Sequence, residues 1–221
     1  MSDQPAMRIT FIDYGGGNIG SVTRAFERLD AGVPLHVSDD PAEIAAAPVV
    51  VLPGVGHFGQ VMHRLRERGL DAAIRDVIAR EVPFLGICVG MQVLFDGSEE
   101  APDVPGLGII RGMVKKFDGA TMKVPQIGWN KVRRIREMPG LPDCPAEGFA
   151  YFVNSFYCAP DESAAATAAM ITDYHGDFCS GVSRGAALTA VQFHPEKSGS
   201  YGLGLLRTWT HHALQADHPV S

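Results

Sequence analysis

The stretch Met7-Arg8-Ile9-Thr10-Phe11-Ile12-Asp13-Tyr14-Gly15-Gly16-Gly17-Asn18-Ile19 decides the fold of this 221-residue chain. Residues 7–13 are an apolar, β-branched run. Glycines follow, and a helical pattern then runs over residues 19–29. Strand, glycine-rich turn and helix in that order open a βα unit. The alternation recurs downstream, with short strands at 34–37 and 49–52, charged helical periodicity at 58–69 and 71–81, and another strand at 82–87. Continuous apolar strands between helices are the mark of a parallel sheet covered on both faces. The first ninety-odd residues therefore predict a doubly wound α/β fold.

Beyond residue 109 the pattern changes to short β runs punctuated by Gly and Pro up to residue 136. Strands continue at 149–153, 168–172, 178–183 and 187–193. This half predicts a smaller antiparallel or mixed sheet, closed by a helix over 201–214. Residues 97–108 read as a loop between sub-layers, not a domain linker. The length suits one domain over residues 1–221, with its core at about 7–215.

The composition excludes several classes. No apolar run approaches the roughly 18–20 residues that span a bilayer. Residues 1–7 are polar and lack the apolar segment of a secretory signal, so a frayed terminus and a cytoplasmic location are expected, with a polar tail over 216–221. Cys88, Cys144, Cys158 and Cys179 share no C-x-x-C spacing, so reduced thiols are expected and no zinc site. A net charge of −6 argues against a nucleic-acid partner. Lys131, Arg133, Arg134 and Arg136 alternate along a predicted strand and suit an acidic partner, but read first as a solvated edge.

Three segments carry chemistry. In Gly86-Ile87-Cys88-Val89-Gly90 a buried strand hands over to a helix running through Phe95, with small residues around the cysteine. Such a turn holds its central residue in a strained conformation above the sheet, and the helix N-terminus favours a thiolate. The competing reading is a buried apolar cysteine. In Gln192-Phe193-His194-Pro195-Glu196 a strand delivers a histidine with a carboxylate two residues on, a base and its orienting group; alone, a satisfied histidine beside a solvated Glu explains it as well. Leu52-Pro53-Gly54-Val55-Gly56 follows a strand, and its backbone N–H groups, with that of Val89, suit an oxyanion hole, or it is an ordinary βα turn. The Gly15–Gly17 turn lacks the spacing of a dinucleotide site, although Asp39 and Asp40 lie near the place of its acidic residue.

Together, G-I-C-V-G-M-Q-V-L-F, Q-F-H-P-E-K-S, L-P-G-V-G-H-F and I-D-Y-G-G-G-N resemble the class I (triad) glutamine amidotransferases. With P-Q-I-G-W-N at 125–130, the chain is most similar among them to the glutaminase subunits of imidazole glycerol phosphate synthases. The resemblance spans residues 7–209. It implies that Cys88 attacks the glutamine amide, His194 shuttles protons and Glu196 orients His194. It also implies that Gly56, Gln92, Ser155 and Phe156 line the glutamine pocket, and that Asn18, Trp129 and Lys197 lie at or near a partner interface. The implied partner is a (β/α)₈-barrel cyclase subunit. It receives the ammonia and forms imidazole glycerol phosphate and an aminoimidazole carboxamide ribonucleotide. No metal, flavin or nucleotide cofactor is implied.

This chain departs from the family pattern twice, with Asn154-Ser155-Phe156-Tyr157 for His-Ser-Tyr-Tyr, and with Gln126 and Ile127 for His-Met. Judged only by its neighbours Gly128 and Asn130, Trp129 also reads as a core residue. A glutaminase subunit of another synthase, such as the pyridoxal phosphate type, and a non-catalytic binding module on the same fold remain alternatives. A stress-related cysteine hydrolase would not need His-Pro-Glu near the carboxyl end.

Overall fold

The computed structural model describes residues 7–216. The terminus expected to fray and the polar tail lie, save Met7 and Ala216, outside them. Strand β1 (Ile9–Ile12) leads through the glycine turn into helix α1 (Ile19–Glu27), followed by β2 (Leu35–Ser38), α2 (Pro41–Ala45), β3 (Val49–Gly54), α3 (Phe58–Glu67), α4 (Leu70–Ala79), β4 (Phe84–Cys88) and the single-turn helix α5 (Val89–Gln92). Then come β5 (Gly97–Ser98), β6 (Gly112–Lys116), β7 (Gln126–Arg134), β8 (Glu147–Asn154), β9 (Phe156–Pro160), β10 (Ala168–Asp173), β11 (Asp177–Arg184), β12 (Leu188–Val191) and α6 (Gly199–Gln215).

One hydrogen-bonded sheet runs β2-β1-β3-β4-β12-β11-β10-β7-β8. Its pairings are parallel from β2 to β12 and antiparallel from β12 to β8. The antiparallel layer is thus continuous with the parallel one, and β5, β6 and β9 branch off through β11. The chain steps from β1 outward to β2 and back across to β3. Right-handed crossovers then place α1 on one face and α2 to α4 on the other.

Strands β1, β3 and β4 are buried along their whole length, as a sheet covered on both sides requires. Helix α1 buries Val22, Ala25 and Phe26. The Phe26 ring meets Phe11 edge-on at 5.1 Å and Trp209 at 6.2 Å, which joins α1 and α6 over β1. Helix α4 turns Leu70, Ile74, Val77 and Ile78 inward.

Helix α5 is shorter than the pattern through Phe95 predicts. The carbonyls of Val93, Leu94 and Phe95 accept from Leu107, Ile109, Ile110 and Gly108, so the returning segment takes the groups that would continue the helix. Helix α2 was not expected, although Pro41 at its first position and the Asp40 cap on the Ala42 N–H are ordinary start signals. Asp39 pairs with Arg68 at 2.8 Å, so both acidic residues near the glycine turn have structural partners.

The expectation of a sheet edge at Lys131 to Arg134 is corrected, because β7 lies inside the sheet between β10 and β8, while Lys131 and Arg133 are solvated as expected and Arg136 follows the strand. Lys131 pairs with Glu147 and Arg133 with Asp177, each at 2.8 Å, so these cations face carboxylates on neighbouring segments. Among the described residues no helix is long and apolar enough to cross a membrane.

Candidate functional site

Three neighbouring parallel strands, β3, β4 and β12, point their carboxyl ends the same way. From those ends emerge the Pro53–Gly56 turn, Cys88 and the His-Pro-Glu turn. Crevices at strand carboxyl ends are where open α/β sheets place their ligands.

Cys88 ends β4 and starts α5 with φ +54° and ψ −111°, a conformation L-residues rarely adopt. The tightness of the turn explains its glycines. A Cβ on Gly90 would stand 2.1 Å from the Leu52 carbonyl oxygen, and one on Gly86 2.8 Å from the Gly90 oxygen. A Cβ on Gly54 would stand 2.5 Å from the Gly90 nitrogen, so Gly54 serves close packing of β3 under α5.

His194 follows β12, and Pro195 opens a 3₁₀ turn, Pro195–Lys197. The Nδ1 of His194 lies 2.8 Å from Glu196 Oε1, with the two side chains only 2% and 1% exposed. That leaves Nε2, buried and without a formed hydrogen bond, on the side of the thiol. Burial pulls the imidazole pKa down, but Cys88 and then Glu196 outweigh it and push it up to about 10. Both neighbours thus favour the protonated ring. The histidine backbone is fixed from β8, because the His194 N–H donates to the Tyr151 carbonyl at 3.0 Å. The Ser198 hydroxyl completes the clamp by accepting from the Tyr151 N–H and donating to the His194 carbonyl.

A cleft of about 270 Å³ opens over Cys88 and His194. Of the pocket and oxyanion residues named from the sequence, Val55, Gly56, Val89, Gln92, Ser155 and Phe156 line it and Gly54 does not. Gln92 donates to the Phe156 carbonyl at 3.3 Å, which ties α5 to β9. Asn154 donates to the same carbonyl at 3.0 Å. Gln126 and Asn154, the two departures from the family pattern, are cross-strand partners and both buried, so they form one altered site and not two.

Sequence reasoning missed Glu100, Gln192, Ser198 and Tyr14. Glu100 lines the cleft and accepts from the Phe58 N–H at 2.7 Å. Fully buried Gln192 donates to Cys88 Sγ at 3.6 Å. Its signal is the Q-F-H-P-E segment, in which Gln192 precedes His194 by two residues and so shares its face of the extended chain. Tyr14 comes from the opening glycine turn and accepts from the Val55 N–H at 3.3 Å.

Trp129 is 54% exposed, which rules out core packing. Its ring centroid lies 6.2 Å from that of Tyr151, and the Lys197 ammonium lies 6.0 Å from the centre of the same Tyr151 ring. Asn18 precedes α1, which packs against the 3₁₀ turn of Lys197.

The chain is similar to known proteins over nearly its whole length. The family described as glutamine amidotransferase class-I matches residues 10–210. Imidazole glycerol phosphate synthase subunit HisH of Deinococcus radiodurans is 48% identical over 202 residues, covering 91% of this chain and 92% of that one. The HisH subunit of Herpetosiphon aurantiacus is 49% identical over 208 residues, covering 93% and 95%. The solved structure of PurLQS from Thermotoga maritima covers 93% of this chain and 98% of its own at TM-score 0.71 and 16% identity, a likeness of fold alone. The matched stretch contains most of β1, the Cys88 elbow and the His-Pro-Glu turn, and the chain belongs to the class-I glutamine amidotransferases, in the family of imidazole glycerol phosphate synthase subunit HisH.

Proposed function

We propose that this chain is the glutaminase subunit of an imidazole glycerol phosphate synthase. It hydrolyses glutamine to glutamate and ammonia, and passes the ammonia to a (β/α)₈-barrel cyclase subunit. The observation that carries this reading is Cys88 at its strained turn beside a buried His194–Glu196 pair on the adjacent strand end.

The geometry supports a two-step reaction. The Cys88 thiolate attacks the side-chain carbonyl carbon of glutamine. As the C–N bond breaks, the His194 imidazolium gives its proton to the leaving nitrogen, which departs as ammonia. Water then attacks the thioester with His194 as base, and the C–S bond breaks to return the thiolate. The Val89 N–H and one N–H of the Gly54–Gly56 segment suit the oxyanion of both steps. Glu196 holds the ring and balances its charge. Glu100 places a carboxylate in the cleft where an α-ammonium group suits it.

The same hydrolysis would be wasteful without an acceptor. The glycines of Pro53–Gly56, with Gly56 at φ +112°, permit a peptide flip, which supports gating by the partner, allosteric in the strict sense if partner and glutamine bias the same segment. On β7 and β8, Ile127, Trp129, Phe149 and Val153 are all exposed. Their register, with Ile127 opposite Val153 and Trp129 opposite Tyr151, puts these side chains on one sheet face. An apolar face of this kind, continuous with Lys197, supports a partner surface there. The unbroken sheet supports one amidotransferase domain, and a catalytic thiol supports a reducing, cytoplasmic setting.

A glutamine-analogue alkylator should label Cys88 alone. Burial pushes the Cys179 thiol up to about 12 and raises those of Cys144 and Cys158, which leaves them poor nucleophiles. Cys88→Ala should abolish glutamine-dependent synthesis by the complex while synthesis from ammonium salts survives. Label on another cysteine, or glutamine-dependent activity in the variant, overturns the reading.

A further inference from the structure

The sulfur of Cys88 has a hydrogen-bond donor outside the triad. We propose that Gln192 is a further catalytic residue, whose amide N–H stabilises the Cys88 sulfur as it becomes an anion on leaving the acyl-enzyme. This rests on the glutaminase reading above.

A chain of contacts fixes which way the Gln192 amide faces. The Phe156 carbonyl can only accept, so the Gln92 group beside it at 3.3 Å is its NH₂. That same NH₂ donates to Gln192 Oε1 at 3.1 Å. The Gln192 NH₂ is therefore the end that reaches Cys88 Sγ, at 3.6 Å. Gln192 is fully buried and its backbone N–H is held by the Ser180 carbonyl at 2.9 Å, so the donor is anchored on the sheet.

The two half-reactions use such a donor unequally. During acylation the sulfur loses its negative charge to the new C–S bond. During deacylation the water oxygen bonds to the thioester carbon and one water proton goes to His194 Nε2. The C–S bond then breaks with its electron pair remaining on Sγ, and the other water proton passes to solvent as the glutamate carboxyl ionises. His194, now an imidazolium, balances the charge of the departing sulfur, and Gln192 adds a second donor to it that is fixed on the sheet. A hydrogen bond to an ion is stronger than one to a neutral thioester sulfur, so the amide favours this step.

The test compares the parent complex with Gln192→Met, which keeps length and removes the donor, with partner and nucleotide analogue present. A donor to a charged group is worth about a tenfold to hundredfold rate. We expect kcat to fall by that factor, KM to fall with it, and kcat/KM to change little. Rapid quenching should reveal a burst of ammonia, and mass spectrometry a glutamyl adduct on Cys88. An unchanged kcat, or a lower kcat without burst and adduct, overturns the proposal, the second outcome assigning Gln192 a purely structural role. If the Met variant does not fold, Gln192→Asn withdraws the same donor and is read by the same criteria. Failure of the parent chain to take any label on Cys88 would instead overturn the glutaminase reading.

Discussion

The Val55 N–H donates to the Tyr14 hydroxyl at 3.3 Å, and the hydroxyl lies 3.4 Å from the Val55 carbonyl that it can donate to in turn. Tyr14 is 1% exposed, and burial pushes its pKa up to about 12, so the hydroxyl stays protonated under working conditions. In this arrangement the peptide proposed as an oxyanion donor is held by the β1 turn. Tyr14→Phe removes the latch. A neutral hydrogen bond is worth about 0.5–1.5 kcal/mol, so glutamate production by the chain without its partner should rise about two- to tenfold. Stimulation by the partner should shrink by the same factor. Unchanged basal and stimulated rates would show that Tyr14 does not restrain the peptide.

Two glycines separate close packing from backbone freedom. Gly90→Ala drives a Cβ to 2.1 Å from the Leu52 carbonyl, so β3 and α5 must move apart. Overpacking of this kind costs about 1–3 kcal/mol and displaces the Cys88 turn, so both the urea midpoint and activity should fall. Gly204 lies inside α6, and a Cβ there meets nothing within 4 Å. Gly204→Ala should therefore stabilise by about 0.5–1 kcal/mol with activity intact. Equal midpoints for the two variants would contradict the packing account.

Much of this is legible in the sequence. The Gly-flanked Cys88 turn and His194-Pro195-Glu196 are local, because the constraint on each residue comes from its immediate neighbours. Strand and helix periodicity likewise carried the doubly wound half. What was not legible depends on partners distant in sequence. Gln92 and Gln192 are 100 residues apart, Phe58 and Glu100 are 42, and Val55 and Tyr14 are 41. Glu100 in isolation is one more acidic residue of a charged loop. The place of β7 inside the sheet was hidden for the same reason, since alternating charge on an edge and charge paired across strands look alike in one sequence.

The pH dependence should follow the raised His194 pKa. Below about pH 6.5, the ordinary histidine value, both folded and unfolded chains hold the proton and the stabilisation is complete. As the pH rises toward about 10 the unfolded chain releases that proton first, so this contribution to stability declines and is lost through the folded value. Glu196→Gln removes one of the groups that raise the pKa, so the alkaline limb of kcat should move to lower pH and the melting temperature should depend less on pH. His194→Ala should cost about 10² to 10⁴ in rate, with Glu196→Gln milder. An alkaline limb unmoved by Glu196→Gln would mean that the pair does not act as a unit.

Partner binding should depend on the exposed face of β7 and β8. Trp129 is 54% exposed yet rests against Tyr151, a geometry that keeps the ring oriented before any partner arrives. Ordered aromatic side chains lose little freedom on docking, which is why they concentrate binding energy. Lys197 extends the patch with a charge over the Tyr151 ring. Trp129→Ala should weaken association with the cyclase by 2 kcal/mol or more, the hot-spot range of about thirtyfold upward in Kd. Lys197→Ala should act mainly on the association rate and its salt dependence, as charges at an interface rim do. Neither residue touches the cleft, so alkylation of Cys88 in the isolated chain should proceed at the parent rate in both variants. Titration calorimetry against the purified cyclase measures the first effect and stopped-flow at two salt concentrations the second. Parent affinity for Trp129→Ala would move the docking surface away from β7 and β8 while leaving the Cys88 site as described.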